Sequence, residues 1–527
     1  IATAGVIKAP GLGHGGVIVQ AGKEFTHLVI GQDLKLGFVG PQEGGLLQLS
    51  VSESLALRLA VRGWQVRVFE NHAALGGKMN RWECGGFRFD TGPSLITMPR
   101  VFEDLFAVAG ERLGELLRLQ PVDPLARYLF PDGGSLEVPS SLPRWIETLS
   151  GVEPGGDVQF LRMMELGARL FELSRHTFFR RAPSEPPDRE TFAALGHMPL
   201  RRGWGGYRKA VAGFFSSPRL RQIYERFPTY VGSSPSRIPA TLLLIPYLEH
   251  AFGAWHVAGG LYTVIERLRE LGERHGVRYY TGSRVVGIRT VSRRVDAVEL
   301  ADGSVWPCSA VVMNGDASML PALLGEAGAG PLAERDRSLS GFVLLVGLRE
   351  KLPAAAHHTV CFSADYDNEF EDLFARRKFP DDPTVYVCIP SRDDPGLAPG
   401  GGETLFVMAN APANDGDPWD PAMVRTARAR VMARLAGSGF PAFEDAIAVQ
   451  GVVTPRQMAD RYLMPGGAIY GTHSHGWRRA FFRPPNKHKR IAGLYCAGGS
   501  SHPGGGTPTV LLSAEIVSDL IRKYEGL

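Results

Sequence analysis

Long apolar runs and a marked charge imbalance are both absent from this chain of 527 residues. The longest apolar stretch, residues 238–248 (IPATLLLIPYL), is shorter than the roughly 18 residues of a membrane-spanning helix and contains two prolines. We therefore expect no transmembrane segment. Residues 1–30 lack the charged start and apolar core of a secretory signal, so we also expect no export signal.

The near balance of charge excludes a second class of protein. Lysine and arginine total 58 against 54 for aspartate and glutamate, a net charge of +4, which argues against a nucleic-acid-binding protein. The five cysteines are scattered and none belongs to a C-x-x-C pair. An odd, dispersed set of this kind predicts reduced thiols in a cytoplasmic protein.

Two pairs of histidines, His357 with His358 and His473 with His475, are the only hints of a metal centre in the sequence. Neither pair has a cysteine or carboxylate at ligand spacing beside it. We therefore predict ordinary core or surface histidines and no metal site.

What the chain does contain is glycine, 64 residues of it, concentrated at a few places. A Ser-x-x-Glu capping pattern at residues 50–53 opens an apolar run, Gly63 follows as a helix-ending residue, and an alternating strand ends at Glu70. Helix, glycine, strand and acidic residue form the second half of a dinucleotide-binding βαβ unit. The sequence thus predicts an α/β fold, α+β overall, with a Rossmann-like domain.

The stretch after Glu70 supports a nucleotide site. A carboxylate at the end of this strand can accept both hydroxyls of an adenine ribose. Gly76 and Gly77 permit close approach to a diphosphate, and Lys78 adds positive charge. Further on, residues 91–93 (Thr-Gly-Pro) predict a fixed turn, with structural and functional interpretations equally open.

The most specific local pattern is residues 493–517, GLYCAGGSSHPGGGTPTVLLSAEIV. A strand, a glycine loop and a helix follow one another, with Thr507 suited to the N-cap and Pro508 to the first helical turn. The N-terminus of such a helix stabilises developing negative charge, as on the N1–C2=O edge of a reduced flavin. A glycine turn that merely packs a buried helix is the alternative interpretation.

Patterns elsewhere place the remaining elements. Residues 100–275 are mostly helical, residues 299–316 predict a hairpin around Asp302-Gly303, and residues 341–410 predict strands. Residues 420–438 predict an arginine-rich helix, and the basic segment 483–490 is expected to be solvated, with lipid headgroups as a possible contact. Pieces of a cofactor domain at both ends and in the middle of the chain indicate a discontinuous domain with a second domain inserted.

Taken together, these motifs resemble the bacterial phytoene desaturase family, which comprises FAD-dependent carotenoid desaturases and their oxygenase relatives. The resemblance covers about residues 50–527 and rests on GGK, FRFDTGPSL, GGAIYG, FFRPPN and GLYCAGGSSHPGGGTPTVLLS. It implies an FAD-binding domain of residues 1–98, 256–335 and 465–527. Residues 99–255 and 336–464 would then form the domain that binds substrate and contacts the membrane.

The resemblance also implies which residues hold FAD. Glu70 would bind the adenosine ribose, Gly76, Gly77 and Lys78 would line the diphosphate region, and Val285 would meet the adenine through its backbone. The remaining cofactor-binding residues that it implies are Thr91, Gly92, Pro93, Asp316, Gly498, Gly499, Thr507, Pro508 and Val510. It indicates no catalytic acid or base.

The N-terminal glycine motif departs from the family pattern. The nearest match is residues 39–46 (VGPQEGGL), in which Gly40, Gly44 and Gly45 would contact the diphosphate. Gln42 stands where the middle glycine belongs, and its side chain should obstruct the diphosphate's approach, so Gln42→Gly should tighten FAD binding.

The resemblance implies dehydrogenation of a long polyene such as phytoene, with hydride passing to flavin and a proton lost to a weak base. Such a substrate implies an apolar tunnel, a cytoplasmic protein bound peripherally to the inner membrane, and quinone or oxygen as electron acceptor. Residues 237–255 are the candidate tunnel entrance, with a plain core helix pair as the alternative. Two other functions stay open: a carotenoid 3,4-desaturase or end-group oxidase, and a flavin-free lipophile-binding relative.

Overall fold

A computed structural model describes residues 17–19, 51–197, 203–328, 330–353 and 355–526. The strands in these residues are β1 (Val17–Val19), β2 (Val66–Phe69), β3 (Arg81–Cys84), β4 (Phe87–Asp90), β5 (Leu119–Pro121), β6 (Ala126–Leu129), β7 (Ser135–Val138), β8 (Trp255–Val257), β9 (Arg278–Tyr280), β10 (Val285–Val291), β11 (Arg294–Leu300), β12 (Val305–Pro307), β13 (Ala310–Met313), β14 (Ser340–Leu348), β15 (His358–Cys361), β16 (Val385–Cys388), β17 (Glu403–Ala411), β18 (Ile447–Val453) and β19 (Leu494–Cys496).

The α-helices in the same residues are α1 (Val51–Val61), α2 (Pro99–Ala107), α3 (Leu113–Leu116), α4 (Leu142–Val152), α5 (Gly156–His176), α6 (Arg189–Leu195), α7 (Tyr207–Ala212), α8 (Pro218–Glu225), α9 (Leu244–Phe252), α10 (Tyr262–Arg274), α11 (Leu320–Leu323), α12 (Tyr366–Glu371), α13 (Pro421–Gly437), α14 (Pro455–Tyr462), α15 (Gly476–Phe481) and α16 (Thr507–Glu525). Short 3-10 segments connect several of them.

The first sheet has five strands in the order β19-β13-β1-β2-β9. β13 pairs with β19 and β2 with β9 in parallel, as expected for a nucleotide-binding sheet, but β1 runs antiparallel to both of its neighbours. Helices α1 and α16 pack together beside this sheet, where Arg58 reaches Glu515 at 3.0 Å and Arg62 reaches Asp519 at 2.9 Å. Burial of α1 between sheet and helices explains why its apolar run continues around most of its circumference.

A second sheet of three antiparallel strands, β10-β11-β12, branches from the first. The predicted hairpin around Asp302-Gly303 is confirmed as the turn between β11 and β12, where the Ser304 amide donates to the Asp302 carboxylate at 2.8 Å. Gly303 has φ of 86°, which glycine adopts readily. β13 then leaves the hairpin and enters the five-stranded sheet.

The third sheet has seven strands in the order β18-β14-β17-β16-β15-β6-β7. β14 is buried along all nine residues because β17 and β18 flank it, α13 covers one face, and α14 with the β3–β4 hairpin covers the other. The predicted helix at 420–438 is confirmed as α13, which packs its apolar residues Ala427, Val431 and Leu435 against this sheet. Together the sheets and helices give the predicted α/β class, α+β overall.

Helices α4 to α9 cover another part of the seven-stranded sheet and share a core with it. The segment predicted as a membrane-facing entrance, residues 237–255, forms a 3-10 turn (Ala240–Leu243), α9 and the start of β8, and it is largely buried. Within the described ranges, every helix falls short of the length and apolar character needed to cross a membrane.

Candidate active site

The helix α16 begins at Thr507, and Gly506 occupies its N-cap position with φ of 126°. The sequence prediction placed Thr507 at the cap, one residue too late, because the positive φ of the cap favours glycine there. The cap makes no side-chain hydrogen bond. The first amides of this 19-residue helix, and the positive end of its dipole, therefore point into the space in front of the helix start.

A cavity of about 300 Å³ lies in front of that helix end. Its glycine-rich wall consists of Gly504, Gly505 and Gly506 followed by Thr507, Pro508 and Thr509. From there it extends between α9 and the seven-stranded sheet, where Leu244 and Leu248 of α9 and Val360, Phe406 and Met408 of the strands line it. The cavity is predominantly apolar, with polar groups at a few defined places.

The turn Thr91–Gly92–Pro93 forms a second part of the wall, through Gly92 and Pro93. It follows the β3–β4 hairpin, whose last residue, Asp90, accepts hydrogen bonds from the amides of Leu261 at 2.6 Å and Tyr262 at 3.1 Å. Those bonds tie the turn to the start of α10. Burial raises the pKa of the Asp90 carboxyl to about 6, against the opposing effect of the two amides.

Thr91 itself is fully buried, and its amide donates to the carbonyl of Asn80 at 2.9 Å. Its hydroxyl finds no hydrogen-bond partner among the described residues. A buried hydroxyl without a partner costs free energy, so a polar ligand atom beside it would be stabilising.

Glu70 follows β2 and is buried beside β9 and β10, where its backbone bonds to Tyr280 and Ser283. One carboxylate oxygen accepts the His72 amide at 3.0 Å. Burial raises the pKa of Glu70 well above its usual value, and the carboxylate of Glu53 in the first turn of α1 adds to this. Glu70 and the buried Val285 of β10 do not line the cavity, so the structure keeps these two predicted residues apart from those at its wall.

The residues predicted for the diphosphate region lie in the loop between β2 and β3. Gly76 is buried with φ of 107°, and a Cβ there would lie 2.2 Å from the Met79 carbonyl, which explains the requirement for glycine. Gly77 also has a positive φ, 52°. Lys78 donates to the Ile469 carbonyl at 2.9 Å, and burial lowers its pKa to about 8, against the opposing charge of Asp316.

Asp316 and the glycines Gly498 and Gly499 meet at the carboxyl ends of β13 and β19. Asp316 caps a 3-10 turn through the Ser318 amide at 3.0 Å. A Cβ at Gly498 would lie 2.8 Å from the Asn314 side-chain oxygen, and Asn314 also donates to Ser52 of α1 at 2.8 Å. The start of α1 is thus held at this edge of the sheet, while Val510 is fully buried within α16.

Arg483 lies behind the glycine loop and corrects a prediction. The segment 483–490 was expected to be solvated, yet Arg483 is buried and donates to the carbonyls of Tyr470 at 3.0 Å and Gly499 at 3.4 Å. Asn486 is also buried, whereas Lys489 and Arg490 are exposed as predicted. Buried backbone carbonyls require hydrogen-bond donors, and this requirement explains why Arg483 is buried although the segment is basic.

The predicted diphosphate glycines Gly40, Gly44 and Gly45, together with Gln42, lie outside the described residues. The described neighbour of that region is the start of α1, where Ser52 and Glu53 are buried. Since β1 is antiparallel to β13, its amino end rather than its carboxyl end lies at the edge where α1 begins.

A polar cluster in the cavity wall was not predicted. Arg226 donates to the hydroxyls of Tyr230 at 2.7 Å and Tyr128 at 3.1 Å, and Tyr230 donates to Glu249 at 3.2 Å. Burial raises the pKa of Glu249, and the charge of Arg226 opposes that shift. These residues come from β6, the residue that ends α8, the 3-10 segment Phe227–Val231 and α9, so no short motif joins all four.

A cradle of this kind fits FAD on three observations. Thr91 has a buried hydroxyl without a hydrogen-bond partner among the described residues. A side chain at Gly498 would clash with Asn314, so the backbone there stays open to close approach, and the uncapped start of α16 faces the cavity. The last of these provides fixed positive potential where a reduced flavin carries negative charge.

Known proteins of one family match nearly the whole chain. Residues 54–522 match the family of flavin-containing amine oxidoreductases. A 4,4'-diapolycopene oxygenase from Methylomonas sp is 32% identical over 494 residues, covering 92% of this chain and 97% of that protein. A zeta-carotene-forming phytoene desaturase from Myxococcus xanthus is 32% identical over 498 residues, covering 94% and 95%. A 1-hydroxycarotenoid 3,4-desaturase from Flavobacterium sp. (strain P99-3) is 31% identical over 480 residues, covering 88% and 96%.

Solved structures show the same fold. An oxidoreductase from Methanosarcina mazei superimposes with a TM-score of 0.60 at 15% identity, covering 90% of this chain and 99% of that chain. A protein from Pyrococcus furiosus superimposes with a TM-score of 0.55 at 14% identity, covering 92% and 98%.

Proposed function

Because this chain belongs to the flavin-containing amine oxidoreductases, and within them to the bacterial phytoene desaturase family, we propose that it dehydrogenates a long polyene carotenoid precursor such as phytoene. It is an FAD-dependent oxidoreductase. The observation that carries the proposal is the cavity, which is apolar along α9 and the seven-stranded sheet and ends at the uncapped start of α16.

Each part of the cavity wall has its own role in the proposed reaction. When bound, FAD supplies the acceptor for the hydride removed from the substrate. The start of α16 stabilises negative charge at the cofactor end, the turn with Thr91, Gly92 and Pro93 forms the wall beside it, and the apolar wall holds the polyene and excludes water. We propose the other predicted cofactor contacts, Glu70 on the ribose and Lys78 near the diphosphate. In support, Glu70 is buried at the end of β2, and the half-buried Lys78 follows on the next loop, where it bonds to the Ile469 carbonyl.

The same reasoning supports the predicted domain division. We propose that residues 1–98, 256–335 and 465–527 bind FAD and that residues 99–255 and 336–464 bind the substrate. In support, the five-stranded sheet draws its strands from the first set, and the seven-stranded sheet draws its strands from the second.

The proposal is tested with purified protein, added FAD and vesicles that contain either a 40-carbon or a 30-carbon polyene precursor, with products separated by chromatography. Leu244→Trp fills the cavity and should reduce product formation about tenfold, a loss of about 1.4 kcal/mol of transition-state stabilisation. Leu161→Trp, on an α5 side chain that is 46% exposed, is the matched control and should not change it. Full activity in Leu244→Trp, with flavin bound, would contradict the use of this cavity.

A second candidate, a carotenoid 3,4-desaturase or end-group oxidase, is favoured by the polar cluster of Arg226, Tyr230 and Glu249. These side chains line an otherwise apolar cavity and can hydrogen-bond an oxygen on the end of a polyene. Competition between a hydroxylated polyene and its hydrocarbon parent separates the candidates. Tyr230→Phe should lower a preference for the hydroxylated compound, while equal use of both substrates by wild type argues for the hydrocarbon.

We also propose that the protein is cytoplasmic and binds peripherally to the inner membrane, where polyene and a quinone acceptor would be available, with oxygen as the alternative acceptor. Three large apolar side chains support this: Phe482 is 71% exposed, Phe192 62% and Trp204 51%. The Trp204 ring lies against the Trp477 ring of α15, tilted by 34° with centroids 4.1 Å apart, and α15 also carries Arg478 and Arg479. Apolar side chains beside cations suit an anionic membrane surface.

Vesicle flotation tests the membrane contact. Phe482→Ser should reduce recovery with vesicles that contain anionic lipid, whereas Val291→Ser, at a 61% exposed side chain on the β10–β11 hairpin, should not. Equal loss in both variants would contradict a surface centred on Phe482.

A further inference from the structure

A compact group of nitrogen and sulphur ligands lies in the seven-stranded sheet. His358 at the start of β15 pairs directly across the strands with Cys388 at the end of β16, and His357 precedes His358. All three side chains are buried. One potential ligand atom from each lies within 4.8 Å of the other two.

Each histidine is held by a partner on one ring nitrogen only. His357 Nδ1 bonds to the Asp393 carboxylate, and His358 Nδ1 bonds to the Tyr386 hydroxyl at 2.8 Å, which in turn bonds to Ser94 at 2.6 Å. The Nε2 atoms of both histidines are buried and find no hydrogen-bond partner among the described residues. This is the arrangement that metal-binding histidines show, in which an outer partner orients the ring and leaves the other nitrogen for the ion.

On this geometry we propose that His357, His358 and Cys388 bind one divalent cation of zinc type. Imidazole and thiolate donors favour zinc over magnesium or calcium, which prefer oxygen. A zinc ion, the Cys388 thiolate and the Asp393 carboxylate together carry no net charge, which suits a buried position. This site does not depend on the proposed polyene chemistry.

A further histidine and a route for the ion lie close to these three residues. His256 is fully buried, its ring centroid lies 5.5 Å from that of His357, its Nε2 lies 3.5 Å from the Asp394 carboxylate, and its Nδ1 makes no hydrogen bond within the described ranges. His358 lines the main cavity, and Cys388 lines a small pocket next to it. Without a cation, each unpartnered buried nitrogen costs free energy, which metal binding would offset.

The sequence concealed this site because its ligands are close only in the folded chain. Cys388 lies thirty positions after His358, far outside the spacing of a local metal motif. The cross-strand register of β15 and β16 brings them together. The proposed site differs from the sequence-based prediction of no metal at these histidines.

The test uses the full chain with bound FAD and without a histidine tag, stripped with chelator and then dialysed against micromolar zinc. Elemental analysis should find about one zinc per chain in the wild type. Cobalt(II) in its place should give tetrahedral absorption at longer wavelengths than the flavin bands. Cys388→Ser and His358→Ala should lose both signals, and Cys361→Ser, a buried cysteine at the other end of β15, should keep them.

Two further variants keep the test decisive if a ligand variant fails to fold. Cys388→His retains a donor and should retain zinc, and Asp393→Asn should weaken zinc binding by about 10- to 100-fold through the orientation of His357. A wild-type chain that holds no more zinc than Cys388→Ser would overturn the proposal. So would zinc that persists at full level in both Cys388→Ser and His358→Ala, since the ion would then lie elsewhere.

Discussion

The two polar parts of the cavity wall are built differently. At the start of α16, polarity comes from backbone amides at Gly504, Gly505 and Gly506 and from Arg483, whose guanidinium is held by the carbonyls of Tyr470 and Gly499. On the other side of the apolar stretch, polarity comes from Arg226 and Glu249, joined through Tyr230. The first wall depends on a few backbone torsion angles, whereas the second depends on the pairing of buried charges, so different substitutions should damage each.

The largest effect is expected in the side-chain wall. Arg226→Met leaves Glu249 buried without its cation and should lower the free energy of unfolding by about 3–5 kcal/mol, measured by urea denaturation. The double variant Arg226→Met/Glu249→Gln should recover a large part of that loss, because it removes the unpaired charge. If the double variant were as unstable as the single one, packing rather than charge pairing would hold this wall.

The next largest effect is expected at Gly498, in the loop that leads from β19 to the backbone wall. Alanine there would adopt φ of 121° and place its Cβ 2.8 Å from Asn314, so Gly498→Ala should cost about 2–4 kcal/mol in the same assay. Gly63→Ala is the matched control, since Gly63 also has a positive φ, 91°, but has open space around its Cβ position. It should cost only about 1 kcal/mol, and equal costs at the two positions would show that the close approach to Asn314 is unimportant.

The pH dependence of the free energy of unfolding tests the glycine loop through His502. Burial lowers the pKa of His502 to about 4, against the opposing carbonyl contacts of Phe178 and Arg181. The unfolded chain therefore takes up this proton first, and stability is lost as pH falls from about 6.5 towards 4. The loss attributable to His502 between pH 7 and pH 5 should be about 2 kcal/mol.

His502→Gln should remove that part of the pH dependence, measured by thermal or urea unfolding at each pH. His176, which bonds to Glu172 and Glu190 on the surface, is the control with the opposite sign, because those carboxylates raise its pKa. An acid-induced loss that His502→Gln leaves intact would assign the titration to another group.

The smallest effect concerns Thr91. Thr91→Val keeps the shape and removes the unpartnered hydroxyl, so the FAD-free protein should be equally stable or more stable by about 1 kcal/mol. The same substitution should weaken FAD binding about fivefold, or about 1 kcal/mol, measured by flavin fluorescence. Unchanged affinity would remove Thr91 from the cofactor contacts.

The features predicted most accurately from the sequence are those determined by short segments of the chain. The helix α1 with Gly63 behind it, the strand ending at Glu70, the Asp302-Gly303 turn and the helix α16 are all set by local periodicity and by residues with restricted backbone preferences. Even the error at the α16 cap was one residue, since threonine and glycine both suit that position by type, and only the torsion angle distinguishes them.

Features that depend on contacts between distant parts of the chain could not be predicted from the sequence. Arg226 and Glu249 carry no motif, and their cluster forms because α8 and α9 both pack beside the seven-stranded sheet. Arg483 looked like one of several surface cations until the loop carbonyls that need its hydrogen bonds were brought beside it. The polar half of this cavity is thus a property of tertiary contacts rather than of local sequence.

The size of the cavity affects the order in which the two halves of a symmetrical polyene would react. About 300 Å³ is at the lower end of the range that encloses a drug-sized molecule, about 300–1,000 Å³, and a 40-carbon chain is longer than such molecules. A cavity of this size encloses only part of such a chain, which would place its two halves in the site in separate binding events. Compounds altered on a single half should therefore build up before the fully altered product does.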